Sequence, residues 1–356
     1  MAHPHECPSR WRDAGGQWSA GRMRADFERR EALLVHRAAA AGLSRREFLA
    51  TLAAGAAATA ASTAKAARAN AAAPLPEKSR VVVVTHPEVI IREYRVNLPV
   101  VRQMLDRAVG ELTGRGTQAE AWTDVAHEGD FLAIKYNTMH QPTLHSHTEI
   151  NEVVTQRVSG EASVDPARIL AVDRRLPRPY REFSDPFTLP SRNLTTRLRR
   201  LYTEAATAIV NVSVLKTHFG EGMSAALKSH LGSVNNPSAY HGWAPGRMPR
   251  SLPELSALPP LRTKTRLVIV DAIRPLYAAG PFDDPEYRWD FRGLIVATDP
   301  VAADSVALDI LERHREAARG KPWPMPAARA TVAWGQRIGL GNAEAARIDR
   351  VEVAMG

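Results

Sequence analysis

Cysteine is almost absent from this chain of 356 residues, in which Cys7 is the single thiol. One cysteine cannot form an intramolecular disulfide, a four-cysteine zinc site or a cysteine-ligated iron–sulfur cluster. Any metal would therefore need His, Asp or Glu ligands. The hydrophobic share of 44% and the charged share of 24% are ordinary for globular proteins, which excludes a disordered or collagen-like chain.

Long hydrophobic runs are also missing near the N-terminus. The uncharged stretch Leu49–Ala64 has only 16 residues, nine of them alanine, whereas a membrane span needs about 20 predominantly apolar residues. The preceding Ser44–Leu49 reads SRREFL and matches the twin-arginine translocation pattern, and Ala69–Ala71 offers a small-residue cleavage pattern. We interpret residues 1–71 as a twin-arginine signal peptide with a long n-region. An alanine-rich helix with a chance arginine pair is the alternative.

This interpretation predicts that the protein is periplasmic or exported, with the twin-arginine translocase as its partner during export. The mature form would have no stable membrane span. The formal net charge is +9, but residues 1–71 hold 11 Lys and Arg against 6 Asp and Glu, which leaves 36 against 32 in the remainder. Nucleic-acid binding needs a concentrated basic face, so we expect no nucleic-acid partner. Met23 is an alternative start to Met1.

The mature chain, residues 72–356, alternates predicted strands and helices. Continuous apolar runs indicate strands covered on both faces, and they lie at 80–84, 131–134, 169–172, 208–212, 267–270, 294–297 and 350–353. Helical spacing and flanking residues predict helices at 97–112, 148–158, 193–206, 222–230, 300–315 and 326–338. We therefore predict a single α/β domain with a mostly parallel, mixed sheet flanked by helices in three layers. The proline-rich segments 177–190 and 235–260 are expected to be irregular, and the second is long enough for a functional loop.

Lysine is the other scarce residue, with seven lysines against 40 arginines. Three of the six in the mature chain, Lys135, Lys216 and Lys228, follow predicted strands or lie in a glycine-rich segment. Ligands of open α/β sheets bind beyond the carboxyl ends of the strands. A compact ammonium can hold a phosphate or carboxylate, and a desolvated amine can act as a base or form an imine. These lysines are therefore candidates for a small-anion site, with chance placement as the alternative.

Other polar residues follow the same predicted strands. The catalytic candidates are Lys216, His218, Lys228 and Asp271. The candidates for substrate binding are Lys135, Asn137, Gly220, Gly222 and Asn235. Gly220-Glu221-Gly222 precedes a predicted helix, and the N–H groups at a helix N-terminus attract anions.

Histidines bracket the glycine-rich segment and could hold a divalent metal. The candidate ligands are His218, His230 and His241, and Asp271 or Asp299 could complete the site. A second group with metal-ligand spacing consists of His140, His145 and His147. Simpler alternatives are that His147 lies at the N-terminus of the helix beginning at Thr148 and that His230 is a helix-end cation. Asp299, followed by Pro300, is expected to cap the next helix.

Four segments, 129–137, 211–237, 267–272 and 297–304, resemble the family catalogued as domain of unknown function 362. Their order and spacing extend the resemblance over about residues 80–315. It implies no established reaction, but it implies motifs around Lys135, Asn137, Lys216, His218, Lys228, His230, Asp271, Asp299 and Asp304. Many relatives carry a cysteine-rich ferredoxin module that this chain lacks, and their usual Lys-Asn pair here reads Lys228-Ser229.

Two classes of function remain. The first is an exported enzyme that acts on a small anionic substrate with or without a metal. In it the three lysines hold the anion, and His218 or His230 serves as a metal ligand or as the general acid and base. The second is a non-catalytic periplasmic protein that binds a ligand or metal with the same residues.

Overall fold

A mixed sheet lies at the centre of the protein. The structure is a computed structural model that describes residues 75–178, 180–218, 221–240 and 250–356. The predicted signal peptide lies outside the described residues. Within them the strands are β1 (Ser79–Thr85), β2 (Ile90–Arg92), β3 (Arg95–Val96), β4 (Leu132–Lys135), β5 (Ile169–Val172), β6 (Phe183–Leu189), β7 (Leu194–Arg199), β8 (Ala208–His218), β9 (Gly222–Ser224), β10 (Thr265–Leu276), β11 (Gly293–Ala297) and β12 (Ile348–Ala354).

The order of strands in the central sheet is β12-β1-β11-β10-β8-β4-β5, and β9 pairs with β8 beside this path. Neighbouring strands are parallel except at β11, which is antiparallel to β1 and β10, and at β9, which is antiparallel to β8. The strands β4, β5, β8 and β10 therefore end at one edge, which we call the carboxyl edge, whereas β11 ends at the opposite edge. This arrangement confirms the predicted mixed, mostly parallel sheet.

Helices cover both faces of the sheet. They are α1 (Leu98–Thr113), α2 (Gln118–Thr123), α3 (Thr148–Gly160), α4 (Ala226–Ser229), α5 (Ser251–Ser256), α6 (Pro259–Arg262), α7 (Pro300–Arg319) and α8 (Pro326–Arg337). Residues Ala73–Gly356 form one compact unit. No helix in the part of the chain that the structure describes is long and apolar enough to cross a membrane.

The central strands are apolar at consecutive positions because each face of a strand packs into a different core. In β1, Val82 and Val84 belong to the core formed with α1, α2 and α3, whereas Val81 and Val83 belong to the core formed with α7 and α8. Successive strand residues point to opposite faces, so a strand between two helical layers needs apolar residues at every position. The predicted three-layer arrangement is confirmed.

Two predicted helices are wrong. The segment 193–206 forms β7, which pairs with β6, followed by a short π-helical turn at Leu201–Ala205. Burial there alternates along the strand, with Thr196 and Leu198 buried, and period-two burial is the pattern of a strand. The segment 222–230 begins with β9 instead of a helix, because Gly222 has a φ of 78° and pairs with His218. In that segment only α4 is α-helical, and His230 begins a 3-10 turn.

The two segments expected to be irregular are partly ordered. The first contains β6, and the second contains a 3-10 turn at Pro237–Tyr240 together with α5 and the beginning of α6. Residues 241–249 lie outside the described residues. These elements share one core, which includes Tyr240, Leu252 and Leu255.

Candidate functional site

Lys216 lies near the end of β8, where its backbone pairs with Ser224 of β9 and Leu276 of β10. Its side chain is only 3% exposed, and its Nζ has no hydrogen-bond partner among the residues that the structure describes. Burial, and then the nearby charge of Lys228, lower the pKa of Lys216 to about 7. The amine can therefore be neutral or charged near neutral pH.

Lys228 brings a second amine close to Lys216 from the short helix α4. Its side chain is half-buried. Burial is the main cause of its lowered pKa; Glu221 opposes this effect, whereas Arg174 and Lys135 add to it. Residues from three separate segments therefore share one electrostatic environment at the carboxyl edge.

The start of α4 is held by two buried polar side chains. Asn211 of β8 donates a hydrogen bond from Nδ2 to the carbonyl oxygen of Ala226 (3.0 Å). Asp304 of α7 accepts hydrogen bonds from the backbone N–H groups of Ala226 (2.7 Å) and Leu227 (3.1 Å). Because Lys228 follows directly, these bonds hold the segment that carries its amine against β8.

Asp304 is only 3% exposed. Burial raises its pKa to about 7, and its two hydrogen bonds from backbone N–H groups only partly offset this rise. The ordinary pKa of the carboxyl group is 3.8, so between about pH 4 and pH 7 the folded state binds more protons at Asp304 than the unfolded state does. The contribution of this group to stability consequently falls as the pH rises through that window.

We expect the variant Asp304→Asn to lack this pH dependence, because its amide does not titrate. The free energy of unfolding, measured by urea denaturation at several values between pH 4 and pH 7, should fall with pH more steeply in the wild type than in the variant. Asp309→Asn is the matched control, because Asp309 lies on the same helix and is 41% exposed. Parallel curves for the wild type and Asp304→Asn would refute this assignment.

Lys135 at the end of β4 is buried in an ion pair instead of being unpaired. Its Nζ donates to Oδ1 of Asp173 (2.7 Å) and to the carbonyl oxygen of Tyr136 (2.7 Å). Oδ2 of Asp173 accepts hydrogen bonds from the backbone N–H (3.0 Å) and Oγ1 (2.7 Å) of Thr138. Burial alone would raise the pKa of Asp173, but the charge and hydrogen bond of Lys135 together with the two hydrogen bonds from Thr138 outweigh it, and the pKa is lowered.

Asp173 is not among the predicted site residues, although it directly follows the apolar run 169–172 and residues that directly follow such runs are the other candidates. Gly232 packs directly on the ion pair. A Cβ atom at Gly232 would lie 2.5 Å from Oδ1 of Asp173 and 2.8 Å from Cε of Lys135. Only a glycine allows the backbone to approach the pair this closely.

His230 begins the 3-10 turn His230–Ser233, which contains Gly232, and is 2% exposed. Its Nδ1 has no hydrogen-bond partner in the described part of the chain, and its ring packs edge-on against Tyr202. Burial, followed by the charge of Lys135, lowers the pKa of His230 to about 3. His230 is therefore neutral, and the alternative of a helix-end cation is wrong.

His218 ends β8 and is also buried, and its Nδ1 contacts the carboxylate of Glu221. Gly222 packs tightly, since a Cβ atom there would lie 2.7 Å from the backbone nitrogen of Ala328. Gly220 and His241 lie outside the described residues. Among residues 75–178, 180–218, 221–240 and 250–356, no three His, Cys, Asp or Glu side chains group as metal ligands.

Asp271 forms a buried pair with His147. Oδ2 of Asp271 accepts from the backbone N–H of His147 (2.8 Å) and lies 2.7 Å from its Nδ1, and Oδ1 accepts from the N–H of Ile273 (3.1 Å). Burial would lower the pKa of His147, but Asp271 outweighs this effect and raises it. The pair fixes the N-terminus of α3. His147 therefore lies at the N-terminus of the helix beginning at Thr148, as the simpler alternative predicted.

Of the other two histidines of the second predicted metal group, His145 lies next to His147, with ring centroids 5.7 Å apart, whereas His140 packs elsewhere. Nδ1 of His145 lies 2.7 Å from the carbonyl oxygen of Ser146. The ring of His140 packs edge-on against Phe282, and its Nε2 is buried without a hydrogen-bond partner in the described residues. Burial, followed by the charge of Lys216, lowers the pKa of His140 to about 4. His140 thus belongs to the surroundings of Lys216.

The remaining candidates make local contacts. Oδ1 of Asn137 accepts from the N–H of Met139 (3.0 Å), and the exposed Asn235 accepts from the N–H of Arg197 in β7 (2.9 Å). Asp299 caps α7 as predicted. It was wrongly grouped with the metal candidates, because the antiparallel β11 carries it to the opposite edge, where it accepts from Oγ of Ser79 (2.6 Å).

The fold and the site define an α/β protein with a buried amine at the carboxyl edge of a mixed sheet. Residues 181–309 match the family model described as Domain of unknown function (DUF362). The match includes Lys216, Lys228 and Asp304 and supports the resemblance, over a shorter span than the predicted 80–315. No curated protein and no solved structure matches the chain.

Proposed function

We propose that the protein is an enzyme that binds a small anionic substrate, such as a carboxylate or phosphate, at the carboxyl edge beside Lys216 and Lys228. The observation that carries the proposal is the Nζ of Lys216, which is buried and has no hydrogen-bond partner in the described residues. A buried amine without a partner costs free energy, because it has lost its hydration. An anionic ligand would supply the missing partner.

The charges around Lys216 favour an anion. Lys228 lies in the electrostatic environment of Lys216, and Arg174 lies in that of Lys228. Two nearby carboxylates already have counter-charges, since Asp173 pairs with Lys135 and Asp283 pairs with Arg288. Catalysis is favoured over passive binding because the pKa of Lys216 is lowered to about 7. A group that titrates near the working pH is suited to proton transfer, whereas a passive anion site needs only a permanently charged ammonium.

The variant Lys216→Met tests this proposal. By isothermal titration calorimetry with phosphate, acetate and pyruvate, we expect the wild type to bind at least one of them and Lys216→Met to bind it at least about tenfold more weakly, because a hydrogen bond to a charged group is lost. Lys264→Met is the matched control, since the half-buried Lys264 already donates to the carbonyl oxygen of Tyr202 (2.7 Å).

Thermal unfolding of the same variants separates a binding role from a structural one. Lys216→Met should be as stable as the wild type or more stable, because methionine removes a buried amine that has no partner and keeps most of the packing volume. Equal anion affinity in Lys216→Met and the wild type would contradict the proposal, and so would the binding of none of the three anions.

A divalent metal bound by His218, His230 and His241 is a second candidate, and the buried Nδ1 of His230 without a hydrogen-bond partner in the described residues favours it. We place it after the anion because, in the described residues, His218 and His230 do not group with a third His, Cys, Asp or Glu side chain as metal ligands. Elemental analysis distinguishes the two. Stoichiometric metal that is lost in His230→Ala would replace the anion proposal with a metal site.

We also propose that residues 1–71 direct export through the twin-arginine translocase, which would make the mature protein periplasmic or exported. The support is the sequence SRREFL at Ser44–Leu49, the alanine-rich stretch after it, and the lack of cysteine in residues 72–356. A chain without thiols suits an oxidising compartment.

A further inference from the structure

We infer that Lys216 forms an imine with the carbonyl group of a small oxo acid while Lys228 attracts the carboxylate of that substrate. This inference rests on the proposed anion site and names its substrate class. An oxo acid combines the anionic group that the surrounding charges favour with a carbon atom that an amine can attack.

The contacts of the lysines single out Lys216. The Nζ of Lys135 is used by Asp173 and Tyr136, and that of Lys264 by the carbonyl oxygen of Tyr202. In the described residues, the Nζ of Lys216 makes no such bond and is buried. An amine can attack a carbonyl carbon only if its lone pair is not held by a proton or a strong partner.

The surroundings of Lys216 keep the amine dry. In the sheet it pairs with Leu276, which packs with Val214 and Leu144 in a small apolar cluster. Desolvation and a second nearby cation are the two effects that activate a lysine for imine formation. Here both are present, since the side chain of Lys216 is only 3% exposed and Lys228 is the nearby cation.

The side chain of Lys228 is half-buried, so it connects the surroundings of Lys216 with solvent. The approach of a carboxylate from that side would bring the adjacent carbonyl carbon towards Lys216. His140, Asp173 and Asp283 are further titratable groups near Lys216. Asp173 is paired with Lys135 and Asp283 with Arg288 (3.0 Å), so both carboxylates already have a counter-charge.

The proposed reaction balances without a further reactant. The neutral amine of Lys216 adds to the carbonyl carbon and forms a carbinolamine. The carbonyl oxygen then leaves as water, taking both hydrogen atoms from the lysine nitrogen, and a carbon–nitrogen double bond remains. Hydrolysis by water reverses both steps and regenerates the free amine.

Borohydride trapping tests the inference with pyruvate as the probe. Sodium cyanoborohydride would transfer a hydride to the imine carbon and convert it into a stable secondary amine, which peptide mass spectrometry can locate. In the wild-type protein we expect Lys216 to be modified at least about tenfold faster than the exposed Lys321. No modification is expected at position 216 in Lys216→Met, and lactate, an anion of similar size without a carbonyl group, should slow the reaction by competing for the site.

The outcomes separate this inference from the proposed function. Modification of Lys216 no faster than that of Lys321, or preferential modification of Lys228, would overturn the imine assignment. If pyruvate and lactate still bind to the wild type and bind weakly to Lys216→Met in calorimetry, the anion site stands and only the imine is lost. If pyruvate, lactate, phosphate and acetate all fail to bind and nothing is trapped, both proposals are refuted.

Discussion

Replacement of Asp173 by asparagine should lower the free energy of unfolding by about 3–5 kcal/mol, because it leaves the buried ammonium of Lys135 without its counter-charge. The side chains of Lys135 and Asp173 are 1% and 6% exposed, and their hydrogen bond is 2.7 Å long. Removal of one member of such a pair leaves the other charge buried without a counter-charge. Urea denaturation of Asp173→Asn at neutral pH measures the loss.

Two further variants make this prediction specific. Thr138→Val removes the hydroxyl hydrogen bond to Asp173 but keeps the ion pair, so it should cost only about 1 kcal/mol. The double variant Lys135→Met, Asp173→Leu replaces both charges by apolar groups and should recover most of the stability lost in Asp173→Asn, because paired removal avoids a stranded charge. If Asp173→Asn costs no more than Thr138→Val, the pair does not have the assigned role.

The ion pair also bears on the candidate site. It joins the ends of β4 and β5, and Gly232 packs directly against it. The turn at Gly232 follows His230 and Lys228 along the chain, so a disturbed pair would also displace the segment that carries these side chains. We therefore regard Asp173 as a structural support of the carboxyl edge.

Local patterns predicted the central strands well for a physical reason. A strand buried between two helical layers needs apolar residues at every position, and that requirement is visible without any tertiary contact, as in Arg80–Val84 and Leu294–Ala297. The direction of a strand relative to its neighbours is not visible in its local sequence. The antiparallel course of β11 therefore could not be predicted, and Asp299 was assigned to the wrong edge.

The partners of the site residues were equally invisible in the sequence. Lys135 and Asp173 are 38 positions apart, and His147 and Asp271 are 124 positions apart. The scarcity of lysine made Lys216 a candidate, but the sequence does not show which lysine has its charge neutralised by a carboxylate. The structure makes that distinction, because the contact with Asp173 is present at Lys135 and absent at Lys216 in the described residues.

Export should be abolished by the double substitution Arg45→Lys, Arg46→Lys in the full chain. Lysine keeps both positive charges, so the variant changes the guanidinium groups and leaves the net charge of the segment unaltered. A targeting signal is recognised by a receptor and does not act as a membrane anchor, so loss of recognition should leave the whole protein in the cytoplasm. Fractionation of cells of a bacterium with a functional twin-arginine translocase, followed by immunoblotting, measures the exported fraction.

A second arginine pair in the same segment provides the control. Arg29 and Arg30 are also adjacent but lie outside the SRREFL sequence, so Arg29→Lys, Arg30→Lys should be exported like the wild type. Mass spectrometry of the exported wild-type protein should find its N-terminus near Ala72, because the small residues at Ala69–Ala71 form the predicted cleavage site. Export of the Arg45→Lys, Arg46→Lys variant at the wild-type level, or export from cells that lack the translocase, would exclude a twin-arginine signal. In that case residues 44–64 would be better explained as an alanine-rich helix with a chance arginine pair.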